Sequence, residues 1–387
     1  TFVENFNFNG KNIAVIGADS SNTIIDGDSS GAVVVFNSSE DSTALLKNFK
    51  ITNGSGLDGI VGGASAGGGI VARSKVTLEN LFITGNSAVR AGGMWIGAEV
   101  TLKNSTISNN FSSGGGGVMI QASSPTLTNV LITNNTSSGR GGGLWTYAGP
   151  QHLTVLTNVT ITGNVAGWNG GGCYLNGPAP IFQSCDISNN TASGSGGGIY
   201  SESSSVLIEN SYINNNNTQN GQGGGIYSTT SITYLIGSIV NDNESIGDYG
   251  GGIYNTSGQF NIIESTIQAN STNTNAGGIF SEGYLYISRS RIVNNYAGNL
   301  TGGVEICCSM TAEIYNTVIA DNNSGNGLVD GIYLNGGAGH LTLKNSILWN
   351  SGDSEILFDE EVSEPWDVNI EYSTIKGGEE DIVLNGN

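Results

Sequence analysis

A phrase of the form Gly-Gly-Gly-Ile-Tyr, followed some ten residues later by Asn-Ser-x-Ile-x-x-Asn, returns about every 26 residues along most of this chain. Its aliphatic position falls at Ile70, Met94, Val118, Leu144, Cys173, Ile199, Ile226, Ile253, Ile279, Val304 and Ile332. Self-similarity at such a period means units that cannot bury a core alone and stack on their neighbours. A length of 387 residues is therefore compatible with one domain, because an array escapes the usual relation between length and domain count. The repeat predicts a single domain over 1–387, with N-terminal coils over 1–60, regular repeats over 61–350 and acidic C-terminal coils or an insertion over 351–387.

Within each repeat the pattern has period two. In Ile199-Tyr200-Ser201-Glu202 the first and third residues are aliphatic or small, while the second and fourth are aromatic or charged, which is the alternation of a strand. A second strand follows at Val206-Leu207-Ile208-Glu209, then a bend at Asn210 and another apolar position at Ile213. Gly supplies 61 residues and Pro only five. With no Gly-X-Y triplet, collagen is excluded, and glycine and asparagine stand wherever a helix would need to continue. The fold class predicted is all-β, a single-stranded right-handed parallel β-helix of about 12–13 coils.

Two sets of asparagines carry the same period. One includes Asn48, Asn80, Asn104, Asn129, Asn158, Asn210, Asn316 and Asn345, and the other runs from Asn86 through Asn110, Asn135, Asn164, Asn190, Asn216, Asn243, Asn270 and Asn295 to Asn322. Asparagine tolerates left-handed backbone angles, and its amide both donates and accepts, so equivalent residues can hydrogen-bond from coil to coil.

These paired phrases resemble the right-handed parallel β-helix repeats of bacterial surface proteins, including polymorphic outer-membrane protein repeats with their GGA-[ILV] and F-x-x-N motifs. The opening Thr1-Phe2-Val3-Glu4-Asn5-Phe6-Asn7-Phe8-Asn9-Gly10-Lys11-Asn12-Ile13, then Thr23-Ile24-Ile25-Asp26-Gly27, is similar to the first coils of pectin-lyase-like β-helix proteins. The resemblance implies a secreted or cell-surface location. It implies no one reaction, since such folds serve lyases, hydrolases, adhesins and passenger domains. With no apolar run of about 18 residues, no membrane-spanning helix is expected, and the chain reads as a mature or excised segment.

Charge narrows the partners. A net charge of −20, with 12 basic against 32 acidic residues, repels nucleic acid and anionic membranes. It also disfavours polyanionic glycans unless calcium bridges them to the protein. Eleven of the acids lie between Asp353 and Asp381. Within that run Asp353, Glu355, Asp359 and Glu361 are candidate calcium ligands, because hard cations take several carboxylate oxygens. The competing reading is a solvated capping insertion that blocks end-to-end strand pairing. No other cofactor is implied.

The residue after each interior aliphatic reads Val71, Trp95, Met119, Trp145, Tyr174, Tyr200, Tyr227, Tyr254, Phe280, Glu305 and Tyr333. Alternation sends this row away from the coil interior. The sequence thus predicts an outward aromatic strip in which Trp95, Trp145, Tyr174, Tyr200, Tyr227, Tyr254, Phe280 and Tyr333 contact a neutral glycan by stacking. The alternative is that the rings only stiffen the sheet. Two residues after the aromatic row runs a polar row that includes Arg73, Gln121, Asn176, Glu202, Glu282 and Asn335.

Catalytic signals are sparse. Glu282 and Glu305, on adjacent rows and coils, are the best pair for the two carboxylates of a glycosidase. His152 and His340 are the only histidines and lie off the aromatic row, while Arg90 and Arg140 precede glycine runs and read as loop residues. Cys173 takes an interior position and could pair with Cys185; adjacent Cys307 and Cys308 permit a vicinal disulfide or two thiols. The function expected is a non-catalytic adhesion or display module that contacts polysaccharide or cell-surface glycan. A polysaccharide lyase or glycoside hydrolase is one alternative, and a fibre or surface layer formed by end-to-end self-association is another.

Overall fold

The structure is a computed structural model describing residues 1–384 apart from 148, 150, 178, 309 and 360–364. The chain divides into two compact units, Thr1–Ser193 and Gly194–Asn387, and each is a stack of parallel coils. In the first unit the interior aliphatic position runs in register through Phe6, Val34, Ile70, Met94, Val118, Leu144 and Cys173. In the second it runs through Ile199, Ile226, Ile253, Ile279, Val304, Ile332, Ile356 and Ile382. Together the units hold about 14 turns of right-handed parallel solenoid. The acidic segment 351–387 reads in sequence as coils or as an insertion. It continues the stack: Ile356–Phe358 pairs with Ile332–Leu334, and Asp367–Glu371 pairs with His340–Lys344.

One coil of the second unit shows how the phrase becomes structure. Strand Ile199–Glu202 is followed by Ser205–Glu209, then Tyr212–Asn214, then the short strand Asn217–Thr218. Ile199, Ser201, Val206, Ile208, Ser211, Ile213, Asn216 and Thr218 are all buried, so each strand gives alternate residues to the core. The bend before Tyr212 is made by Asn210, which sits in the left-handed region at φ 49°. Its equivalents Asn48, Asn80, Asn104, Asn129, Asn158, Asn316 and Asn345 do the same, with φ between 49° and 65°.

The second asparagine set has a different role from the left-handed one. Asn86, Asn110, Asn135, Asn164 and Asn190 of the first unit, and Asn216, Asn243, Asn270, Asn295, Asn322 and Asn350 of the second, are buried inside the coils. In each step along a unit, both the backbone N–H and the side-chain amide of one asparagine donate to Oδ1 of the next. For Asn243 those bonds to Asn270 are 3.0 and 2.9 Å, and its Nδ2 also donates to the Ile213 carbonyl at 2.9 Å. The Asn-Ser phrase adds a parallel row, in which the N–H of Ser211 donates to Ser238 Oγ, Ser238 to Ser265, and Ser265 to Ser290. In both rows a buried polar side chain takes the backbone N–H of its equivalent one coil away.

The glycine triplets make room for that ladder. At Gly223-Gly224-Gly225 the first residue turns the chain at φ +65°, a conformation that costs a side-chain-bearing residue about 1 kcal/mol. A Cβ on Gly224 would stand 2.5 Å from the Gly251 carbonyl, and one on Gly225 would stand 2.6 Å from the Gly252 carbonyl and 3.0 Å from Asn243 Nδ2. The one antiparallel pairing among the described residues is an excursion of the first unit, Leu57–Val61 against Ala64–Ala66.

Two substitutions separate the asparagine roles. Asn243→Ala removes the acceptor of two Asn216 donors and the side-chain donor to the Ile213 carbonyl, while Asn270 Oδ1 keeps the backbone N–H, and at ~1–3 kcal/mol per buried hydrogen bond lost should destabilise the second unit by about 3 kcal/mol or more. Asn129→Ala, on the exposed row, should cost only about 1 kcal/mol, set by its left-handed backbone. Denaturant midpoints of the two variants against the parent chain measure the contrast.

Candidate functional site

The outward row is where the repeat was expected to meet ligand, and most of it lies beneath other parts of the protein. Trp95, Trp145 and Tyr174 of the first unit are buried, as are Tyr254, Phe280, Glu305 and Tyr333 of the second, while Tyr200 and Tyr227 are half-buried. Loops that precede the glycines fold over the row: Tyr249 lies against Phe280 at 4.8 Å between ring centroids, with Ala276 in the same cluster.

Ring orientation is the second correction. Tyr200 and Tyr227 stack at 4.7 Å and 6° between planes, Tyr227 and Tyr254 at 5.2 Å and 5°, and Tyr254 and Phe280 at 4.8 Å and 13°. These separations are the coil rise itself. Residues in perfect register therefore spend their faces on one another, and no face of Tyr227 or Tyr254 is left for a sugar ring. What the ladder offers instead is cohesion, at ~0.5–1.5 kcal/mol per pair.

Glu305 interrupts the aromatic row between Phe280 and Tyr333. It is fully enclosed, at 0% exposure. Oε1 accepts a 2.9 Å hydrogen bond from Asn335 Nδ2, whereas Oε2 has no partner. Burial pushes its pKa up to about 7, the Asn335 bond opposes this, and the negative charges of Glu282 and Asp359 add to it. Glu282 also acts on Tyr254, whose hydroxyl is driven far above the usual phenol range, first by burial and then by the negative charge of this carboxylate. The structure thus brings the two sequence-derived carboxylates close enough to sense each other. It places one of them where no substrate atom reaches it.

Among the described residues the candidate calcium ligands Asp353, Glu355 and Asp359 do not form a cluster. Glu355 is 2% exposed and ends the inner amide ladder, accepting from the Asn350 N–H at 2.6 Å and from Asn350 Nδ2 at 2.7 Å. Asp353 is exposed, Asp359 is half-buried at the end of strand Ile356–Phe358, and Glu361 lies outside the described residues. Among the described residues, the group of His, Cys, Asp or Glu side chains whose ligand atoms do come together is Glu282, Cys307 and Cys308, all within 4.8 Å. The two sulfurs there form a vicinal disulfide, so neither is a thiolate donor. Cys173 and Cys185 are buried thiols that are not joined by the disulfide their spacing permits. His340 Nδ1 lies 3.0 Å from Asp367 Oδ2.

The first unit holds a concavity that the row analysis passed over. Arg90, Ser113, Ser138, Gly139, Arg140, Trp145 and Trp168 surround about 350 Å³. Trp168 is 61% exposed and stands outside the repeat's aromatic row. The Arg90 guanidinium lies 5.1 Å from the centre of the Trp145 ring, and that of Arg140 lies 5.8 Å from Trp168 and 5.0 Å from Tyr174. Gly114, in register with Arg140, opens the space: a Cβ there would fall 2.3 Å from Trp145 Cζ3 and 2.6 Å from Arg90 Nη1. Arg90 and Arg140 both stand just before a glycine run two coils apart, and that shared offset is the signal from which their common face could have been read. A wider polar groove on the same unit, about 530 Å³, is lined by Glu40, Arg73, Lys75, Glu99 and His152 among others.

With coil, ladder and register in place, the family is clear. The family model described as right-handed beta helix region matches residues 3–159 and 94–267, and the chain belongs to that family. No curated protein matches the chain.

The enclosed carboxyl gives this region a pH signature. An unfolded Glu305 ionises near 4.5 while the folded one holds its proton to about 7, so the contribution of this group to stability is full below pH 4.5 and is lost as pH rises through 7. The difference corresponds to roughly 3 kcal/mol. Glu305→Gln keeps an acceptor for Asn335 and carries no charge. It should abolish that decline and raise stability above pH 7, as measured by urea midpoints at pH 5 and pH 8.

Proposed function

We propose that this chain is the display portion of a secreted or cell-surface protein, a non-catalytic adhesion module that holds saccharide at the Trp145 and Trp168 pocket of its first unit. The observation that carries this reading is Trp168, a large aromatic side chain left mostly open beside a concave space of about 350 Å³. That size suits a small-molecule subsite. An exposed indole supplies the flat apolar surface on which the C–H face of a pyranose packs, and the Ser113 and Ser138 side chains bordering the space offer hydroxyls to its edge.

The rest of the molecule supports display rather than turnover. Of the two candidate carboxylates, Glu282 and Glu305, the second is sealed from solvent, so it cannot pass a proton to a leaving group. The tyrosine ladder presents ring edges rather than faces. Contact with glycan therefore belongs where the coil register is broken by a loop side chain. Location at a surface rests on the resemblance to secreted bacterial β-helices. Among the described residues no helix is long and apolar enough to cross a membrane.

Retention on a panel of immobilised saccharides tests this. Trp168→Ala should weaken retention about tenfold or more, consistent with the loss of ~1–2 kcal/mol of ring contact. Tyr200→Ala combined with Tyr227→Ala should leave it unchanged, and no reducing ends should be released. Retention that survives Trp168→Ala but fails in the tyrosine pair would return the site to the row, and release of reducing ends would make the chain an enzyme.

A further inference from the structure

The charge around this same pocket says more about what enters it. The chain carries 32 acidic and 12 basic residues, so a guanidinium has many carboxylates available. The ion pairs recorded among the described residues engage Lys47, Lys75, Lys103, Arg289, His340 and Lys344. Arg90 and Arg140 are in none of them, and neither side chain makes a hydrogen bond there. Both are held by stacking instead, over Trp145 and between Trp168 and Tyr174. Stacking occupies the faces of a guanidinium and leaves its in-plane N–H donors unspent. Two further donors at the site are without partners: Arg140 Nε and the Trp145 indole Nε1 are buried with nothing to donate to, and Trp145 is more than nine-tenths buried. Gly114 keeps the space between Arg90 and Trp145 clear.

We propose that this pocket recognises an anionic sugar, its planar or tetrahedral oxyanion taken by the Arg90 and Arg140 forks and its ring laid against Trp168. The inference rests on the saccharide reading above and adds the charge of the ligand. Two rigid guanidinia match a carboxylate or a sulfate ester bidentately, whereas a neutral sugar leaves both charges unanswered. The site is a local positive island on a molecule of net charge −20. It therefore suits one acidic residue entering alone rather than a long polyanion lying across the surface.

Titration of the full chain with glucuronic acid, glucose 6-sulfate and glucose, followed by indole fluorescence, tests the proposal. Both acidic sugars should bind about tenfold or more tighter than glucose, with the gap shrinking as salt is raised. The tighter of the two identifies the oxyanion as carboxylate or sulfate. Arg90→Gln with Arg140→Gln should erase the preference, and a far-ultraviolet circular dichroism spectrum and urea midpoint matching those of the parent chain show that the double variant is folded. Equal binding of all three sugars, or a preference that survives the double variant, overturns the charge assignment and leaves saccharide binding intact. Failure of all three to bind overturns both.

Discussion

Everything in this protein depends on buried amides that are satisfied by their own repeats. A coil of about 26 residues encloses too little apolar volume to exclude polar groups, yet an unpaired buried amide costs ~1–3 kcal/mol. The inner asparagine resolves this conflict because it is donor and acceptor at once. Its side chain closes a bond to the next coil while its own carbonyl oxygen receives two, as at Asn270. The row must end somewhere, and in the second unit it ends on Glu355, whose two oxygens take the last two donors. An acid that composition marks as a surface ligand is thus the terminus of an internal ladder.

The same register governs what the surface can do. Parallel coils place identical residues about 4.8 Å apart, which is also the stacking distance of aromatic rings. A row of tyrosines on such a scaffold closes on itself, and its faces cease to be a binding surface. Acids in such a row face a similar constraint. Glu305 enters an aromatic ladder, is enclosed by it, and keeps its proton to near neutrality. Recognition then falls to side chains outside the repeat, such as Trp168, and to positions where a missing side chain opens the sheet, such as Gly114.

Period and alternation made the solenoid readable before any coordinates, because both are direct consequences of stacking. The interior positions, the left-handed bend at Asn210 and its equivalents, and the parallel register all follow from residues visible in the phrase. Outward direction was readable for the aromatic row, but exposure was not, since burial of Trp95 and Tyr254 depends on loops that carry no period. The separate role of the second asparagine set needed depth: Asn243 and Asn210 look alike in sequence, and only the coil distinguishes an amide inside from one at a corner. Glu282 and Glu305 were found together by row and coil number alone. The Arg90, Arg140 and Trp168 pocket is not legible in the repeat because Trp168 belongs to no row, although each arginine stands four residues before its coil's interior aliphatic position, Met94 or Leu144.

Hydrogen exchange of the backbone amides tests the central claim most directly. The N–H groups of Asn110, Asn135, Asn243 and Asn270, each donating to the next asparagine side chain, should exchange only when a whole unit unfolds, in step with the most protected strand amides. Exchange of these amides at the rate of exposed turns, while the neighbouring strands stay protected, would mean that the inner ladder does not hold the coils together.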